Sequence, residues 1–245
     1  MNEPYYLAYE KRYKKVFEAG IEKWGHTSDD SILYSILLKW INDNDLKGKR
    51  IIDFACGEGA GGELLSKFGC IYQGVDISPS VIEKASITLK NYSNVSVSIM
   101  DMVNDQIVDK YDGAIDIMGL HMLILDIDRE KYLKNAFNCL KNNAPMLFFR
   151  EMHDENSIKD KIDSMEQWIR ITGNDYITPK IRKANQNNMD IEVSLPLVPG
   201  RARLINGYIQ EFKGIGFIIE DIVEMETNTQ VQNSVSIFAR KPNIF

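Results

Sequence analysis

The sequence predicts an α/β fold: a seven-stranded, mostly parallel sheet with helices on both faces and an antiparallel strand pair at its C-terminal end. Three observations lead there. Short apolar strand-like runs alternate with helical stretches between residues 50 and 150, the rhythm of right-handed βαβ crossovers. A glycine cluster follows the first of those runs, at residues 57–62. Two further strand-like runs, 217–223 and 235–240, lie close enough in sequence to pair antiparallel.

In order along the chain, residues 4–24 carry Tyr5, Tyr9, Tyr13, Phe17, Ile21 and Trp24 in steps of three and four, which is one helical face. After a polar break, Ile32, Ile36, Leu37, Trp40 and Ile41 repeat the pattern, with Ser28 or Asp29 as the expected N-cap. Residues 50–54 read as the first strand, and the helix after the glycines runs through Phe68. Strands follow at 71–75, 95–100, 112–118 and 145–149. The helices between them are 79–89, with Pro79 at its first position, and 129–140. Residues 152–200 break the rhythm. They hold a helix with Ile158, Ile162, Met165 and Ile169 on one face, a polar stretch, and a strand-like run at 191–195 followed by prolines. A helix at 204–213, stopped by Gly214, leads into the last two strands.

Composition narrows the function classes. The 245 residues are 44% apolar and 26% charged, a globular balance that needs neither disulfides nor metals to bury a core. The net charge of −6 argues against a surface that neutralises many nucleic-acid phosphates. Cys56, Cys70 and Cys139 are too few and too scattered for a disulfide framework or a zinc site, and no metal is expected. The charged N-terminal stretch has no apolar core of a signal peptide, and no apolar run could span a bilayer. A cytoplasmic protein with no membrane or protein partner is expected.

The informative stretch is residues 53–62, Asp-Phe-Ala-Cys-Gly-Glu-Gly-Ala-Gly-Gly. Glycines after a strand let the backbone approach a ligand and turn into a helix whose N-terminus offers free N–H groups. Gly57, Gly59 and Gly62 satisfy the dinucleotide spacing, and Asp76 lies 19 residues beyond Gly57. Asp53 points elsewhere. A carboxylate at the end of a central strand is costly unless a cation or several donors meet it. An α-amino group is such a cation, whereas a pyrophosphate has the wrong sign. Acids at 53, 76 and 101 also fall at three successive strand ends, the edge where open α/β sheets bind ligands.

Together with the C-terminal helix and strand pair, these residues resemble class I S-adenosylmethionine-dependent methyltransferases, over residues 50–150 and 204–242. The resemblance implies a Rossmann-like fold and S-adenosylmethionine as cofactor, with S-adenosylhomocysteine as product. Asp53, Ala55, Cys56, Gly57 and Gly59 match the family's D-x-G-x-G-x-G loop, with Ala55 in place of the first glycine. Asp76 matches the acid that takes the ribose hydroxyls, Ile77 would lie against the adenine, and Asp101 and Met102 match the pair facing the adenine amino group. Asp116 and Ile117 would fall near the methionine end. The organisation implied is one domain, 1–245. It comprises a helical cap (1–48), a cofactor-binding half (49–151), a lid (152–203) and the C-terminal helix and strand pair (204–245).

A sulfonium is already an activated methyl donor, so catalysis rests on alignment and exclusion of water. A general base matters when the acceptor is a hydroxyl or protonated amine. His121 and Glu151 are the candidates, followed by His153 and Asp154. Tyr5, Tyr9 or Tyr13 could close over the cofactor, and Lys180, Arg182, Lys183, Arg201 and Arg203 could receive an anionic acceptor. After the fourth strand the chain reads Asp-Ile-Met-Gly-Leu-His, without the Asn/Asp-Pro-Pro-Tyr loop of base- and glutamine-modifying relatives. A small-molecule acceptor is therefore expected. The alternatives are a non-catalytic binder of S-adenosylmethionine and an NAD(P)-dependent oxidoreductase.

The ribose contact is testable from sequence alone. Asp76→Ala should weaken S-adenosylhomocysteine binding by about 1.5–3 kcal/mol, the range for hydrogen bonds to a charged group. Unchanged affinity in calorimetry would displace the ribose from Asp76.

Overall fold

The protein was analysed as a computed structural model, which describes residues 3–186, 189–225 and 233–243. In chain order the strands are β1 (Arg50–Phe54), β2 (Ile71–Asp76), β3 (Val95–Ile99), β4 (Gly113–Ile117), β5 (Pro145–Met152), β6 (Lys180–Gln186), β7 (Met189–Leu195), β8 (Ile218–Met225) and β9 (Ser234–Arg240). The helices are α1 (Ala8–Glu18), α2 (Ser31–Asp43), α3 (Ala60–Lys67), α4 (Pro79–Leu89), α5 (Asp126–Cys139), α6 (Met165–Thr172) and α7 (Ile205–Ile215). Seven strands form one sheet in the order β3-β2-β1-β4-β5-β9-β8; β6 and β7 form a separate hairpin. The first five are parallel, and β9 runs antiparallel to both β5 and β8.

β1 lies between β2 and β4, so the winding reverses direction at its two edges and a crevice opens at the strands' C-terminal ends. Alternation along each strand sorts the core into two layers. Phe54, Ala114, Phe148 and Ile237 pack with Tyr132, Tyr208 and Phe212 on one face. Ile51, Ile115 and Phe149 pack with Trp40, Leu64, Leu65 and Tyr72 on the other. α3 sits on that second face at very short range. A Cβ at Gly62 would lie 2.6 Å from the Tyr72 ring, and one at Gly61 would lie 2.7 Å from Asp53 Oδ2.

The expected fold holds, with local corrections. The helix expected over 4–24 is a 3-10 turn at Tyr5–Leu7 followed by α1, which stops at Glu18. There Gly20 takes φ +82°, and the N–H groups of Ile21 and Gly20 return to Val16 O and Phe17 O, a Schellman ending that carries Ile21 into a small apolar cluster with Val16. The N-cap of α2 is Asp30, whose Oδ1 accepts from Ile32 N and Leu33 N, not Ser28 or Asp29. Residues 158–164 are not helical; α6 begins only after the Ser164 cap. Ile162 is tied instead to the start of α5, with its N–H on Asp126 Oδ2 and its carbonyl on Asp126 N. β6 falls in the stretch read as merely polar. Its Ile181, Arg182 and Lys183 are exposed, so no apolar alternation marked it. α7 passes Gly214 and ends where Gly216 takes φ +113°. β5 continues beyond residue 149 through a bulge against β9 at Phe148/Glu151, with Arg150 at φ +57°. Among the described residues no helix is long and apolar enough to cross a membrane.

Because the Tyr72 ring is itself packed under α3, Gly62→Ala should cost about 1–3 kcal/mol of stability as an overpacking change. Urea unfolding of the variant measures it, and an unchanged midpoint would mean that α3 can lift off the sheet freely.

Candidate active site

The turn from β1 into α3 is made of left-handed residues. Ala55, Gly57 and Gly59 have φ of +54°, +55° and +92°. The Cys56 N–H bonds to Val75 O, and the Gly57 N–H donates to Asp76 Oδ2 at 3.1 Å. No atom lies within 4 Å of where a Gly57 Cβ would stand, so the loop backbone faces open space, as a ligand-cradling turn requires. Ala55 adopts a conformation that costs a non-glycine residue roughly 1–2 kcal/mol. Its methyl meets the next turn, where a Cβ on Gly119 would stand 2.7 Å from it. The Cys56 thiol is turned into the core beside Tyr72 and Gly74, leaving only its main chain for the loop.

Asp53 is fully buried. Tyr72 Oη donates to its Oδ2 at 2.7 Å, while Oδ1 has no partner among the described residues. Burial pushes this carboxyl up to about 8, against the Tyr72 hydrogen bond and with a smaller push from Asp76. An orphaned buried carboxylate oxygen at the end of β1 fits a ligand that brings a cation. Asp76 accepts from Ser78 N at 2.9 Å and from Gly57 N, and burial raises it to about 6. It therefore holds the glycine loop as well as facing the crevice, so removing its side chain also loosens that loop. Ile77 is half-buried against the core.

At the third strand end, Asp101 receives Tyr6 Oη on both oxygens, at 3.1 and 3.0 Å, and the N–H groups of Val103 and Asn104 on Oδ1. Met102 beside it is a core residue. Asp116 departs from expectation. It points into the layer under α5, with Oδ1 taking Gly119 N and Oδ2 taking Tyr132 Oη, each at 2.6 Å. Burial and then the Glu151 charge favour its protonated form. Strand alternation puts Asp116 on the α5 side, and only Ile117 lies on the face covered by α3. Asp116 is thus a brace for the turn after β4, not a group in the crevice.

His121 and Glu151 come together. Glu151 Oε2 accepts from the His121 main-chain N–H at 2.7 Å and lies 3.0 Å from His121 Nδ1. The carboxylate is fully buried and the histidine nearly so. Nδ1 is therefore the protonated nitrogen, and Nε2 has no hydrogen-bond partner among the described residues. His153 and Asp154 stay apart from this pair. His153 Nδ1 meets Arg203 O at 2.9 Å, and Asp154 caps a turn at Asn156.

Two segments close the region. From the 3-10 turn and α1, Tyr6 reaches Asp101, Glu10 accepts from Ser78 Oγ and Ser80, and Tyr9 Oη donates to Pro199 O at 2.5 Å. Glu58 in the glycine loop accepts from Trp24 N and Gly25 N, with the Tyr13 hydroxyl alongside. Tyr5 instead packs away, on the N–H groups of Ile124 and Leu125. The regular aromatic spacing signalled this helix, but the acids it meets were not legible. His26 was not singled out either; its Nε2 lies 2.7 Å from Met118 Sδ.

Arg201 and Arg203 also depart from expectation, since both turn inward. Arg201 donates from its main-chain N–H to His121 O and from Nη1 to Ile124 O and Asp126. Arg129 donates from Nη1 to Leu120 O and Leu123 O, and its Nε and Nη2 grip Glu211 at 2.8 Å each. Arg203 joins Glu211 at 2.5 Å. Against burial, these guanidiniums hold the Glu211 carboxyl below its ordinary range. The turn carrying His121 is thus clamped by two buried arginines.

The doubly wound sheet, with the antiparallel strand β9 in its penultimate position, is the fold of a solved S-adenosylmethionine-dependent methyltransferase. Residues 51–143 match a family model described as a methyltransferase domain. Its sequence is 30% identical to a ubiquinone biosynthesis O-methyltransferase of Coxiella burnetii over 124 residues, 48% of this chain and 50% of that one. It is also 30% identical to a ribosomal protein L11 methyltransferase of an Enterobacter species over 148 residues, 57% and 50% of the two chains. The chain spans about half the length of the curated relatives it matches. An S-adenosylmethionine-dependent methyltransferase from Clostridium acetobutylicum superposes with a TM-score of 0.65 at 16% identity, covering 97% of this chain and 99% of the other. The 1,6-didemethyltoxoflavin-N1-methyltransferase of Burkholderia thailandensis, solved with S-adenosylhomocysteine, superposes at 0.66 with 12% identity, covering 99% and 94%. Of these two solved structures, the first is named as S-adenosylmethionine-dependent and the second holds S-adenosylhomocysteine.

The state of Asp53 is testable through pH. Its folded-state value is raised from 3.8 to about 8, so the fold binds this proton more tightly than the unfolded chain does. Its contribution to stability is complete below about pH 4 and is lost as pH rises through about 8. Asp53→Asn should remove that loss, so its melting temperature should gain on the wild type from about pH 5 to about pH 9. Parallel curves would mean that Asp53 is ionised in the fold.

Proposed function

We propose that this protein transfers a methyl group from S-adenosylmethionine to a small-molecule acceptor, with His121 as general base and Glu151 orienting it. The observation that carries the proposal is the buried His121–Glu151 pair, 3.0 Å apart, with Nε2 left beside the crevice without a partner among the described residues. The cofactor would be held by Asp53, by the main chain of Ala55, Cys56, Gly57 and Gly59, and by Asp76, Ile77, Asp101, Met102 and Ile117. When bound, it supplies a methyl group on a positively charged sulfur.

The chain's own residues do the rest. Glu151 fixes the tautomer and ring plane of His121, which leaves Nε2 as the nitrogen that takes the acceptor's proton. Arg129 and Arg201 keep the carbonyls of Leu120, His121, Leu123 and Ile124 in place, so the base stays aligned. α1 and the 196–203 segment cover the crevice and exclude water. Residues 152–203 act as the lid. The Tyr9–Pro199 contact across the opening supports an enclosed, small acceptor over a protein tail. The ubiquinone and toxoflavin enzymes are likewise named for small acceptors, whereas the L11 enzymes are named for a ribosomal protein.

Thermal unfolding with S-adenosylhomocysteine, S-adenosylmethionine, NAD and NADP in parallel tests the cofactor. A ligand at a hundred times its dissociation constant adds about 2.7 kcal/mol, and the first two alone should shift the midpoint. His121→Ala should lower turnover roughly 10²–10⁴-fold while leaving S-adenosylhomocysteine affinity in place, and Glu151→Gln should lower turnover with the same binding. Loss of cofactor affinity in both variants would make the pair structural.

A further inference from the structure

α1 presents two different faces. Tyr6, Glu10 and Tyr13 meet Asp101, the start of α4 and the glycine loop, which is the cofactor side. Tyr9 and Arg12 leave the helix one turn apart toward the other side, onto the carbonyls of Pro199 and Pro196. That side borders His121: a Cβ at Gly200 would lie 3.8 Å from both Tyr9 Oη and His121 O.

Arg12 is poorly satisfied there. Among the described residues, only one of the five N–H groups of its guanidinium is bonded, from Nη2 to Pro196 O at 3.1 Å. Its Nε is shut off from solvent without a partner, and no carboxylate among the described residues lies within ion-pair distance. Burial, with the nearby Arg182 guanidinium on β6 adding to it, works against the charge of Arg12. A shielded guanidinium N–H without an acceptor is costly, and an anion brought by a ligand would relieve that cost. The molecule carries a net charge of −6, yet none of the described carboxylates was placed there.

We propose that Arg12 binds a carboxylate of the methyl acceptor, so that the acceptor is an organic acid. A planar fork of N–H donors suits a two-oxygen group. The helix face assigns that group to the acceptor and not to the methionine end of the cofactor. The proposal rests on the methyltransferase reading above and names the substrate class for the same site.

The test uses the whole protein, tritiated S-adenosylmethionine and a deproteinised small-molecule extract of the source cells. Label should enter products with wild-type protein. It should fall by about tenfold or more when the extract's carboxylates are first converted to amides with carbodiimide and methylamine, and survive phosphatase treatment. Arg12→Met should lose about tenfold or more in labelling at limiting extract, Arg12→Lys should recover part of it, and both should bind S-adenosylhomocysteine like the wild type in calorimetry. Label that persists after amidation, or that is abolished only by phosphatase, overturns the carboxylate. A loss of S-adenosylhomocysteine affinity in Arg12→Met overturns the assignment by giving the guanidinium to the cofactor. Failure of the wild type itself to bind S-adenosylhomocysteine would instead remove the methyltransferase reading, and this assignment with it.

Discussion

The site depends on one buried hydrogen bond, from Tyr72 Oη to Asp53 beneath α3. A carboxyl group in the middle of a sheet with no cation beside it is costly, and Tyr72 satisfies only one of its oxygens. The pair survives because α3 can lie directly on it, and α3 can do so only where it has no side chains. Gly61 and Gly62 supply that clearance. The close approach in turn sets where the helix begins, and so sets the glycine turn and the position of the Gly57 N–H over Asp76. A helix N-terminus offers free N–H groups only if the loop before it is held in place.

Three of the five described non-glycine residues with positive φ lie at the same edge. Ala55, Met118 and Arg150 are non-glycine residues with φ of +54°, +64° and +57°, at or just past the ends of β1 and β4 and within β5. Each is held by a main-chain hydrogen bond in or beside it: Cys56 to Val75, Met118 to Phe149, and Arg150 to Ser236 Oγ. Conformations of this kind persist only where the surroundings over-determine them, and they concentrate at functional sites. Here they bring the turn at Gly119 against Ala55 and, through the bulge in β5, aim Glu151 at His121.

Residues far apart in sequence cooperate to hold His121. Arg129 from α5, Glu211 from α7, and Arg201 and Arg203 from the segment before α7 form one buried ionic network around the turn that carries it. Removing one member would leave another charge buried and unpaired, which is why such networks resist change. The same segment also supplies Pro196 and Pro199 to α1, so closure over the crevice and alignment of the base share one piece of backbone.

The sequence by itself determined the order of strands and helices through residue 150, the glycine turn, and the acids at 53, 76 and 101. Period-two and period-3.6 patterns and glycine spacing are local, and these elements obey them. It was silent on β6, whose exposed residues carry no apolar alternation, and it overextended α1 and α6 because apolar spacing does not record where the backbone turns. Side-chain direction was decided by the tertiary structure alone. Asp116 and Asp53 both sit near strand ends, yet one braces a turn under α5 and the other faces α3, because their strands present them to opposite layers. Arg201 and Arg203, expected to be open to an anionic acceptor, are instead met inside by Asp126 and Glu211, remote in sequence. His121 and Glu151, 30 residues apart, became a pair only when β4 and β5 lay side by side and a bulge turned the second toward the first. Such pairings depend on long-range packing, which local patterns of residues do not encode.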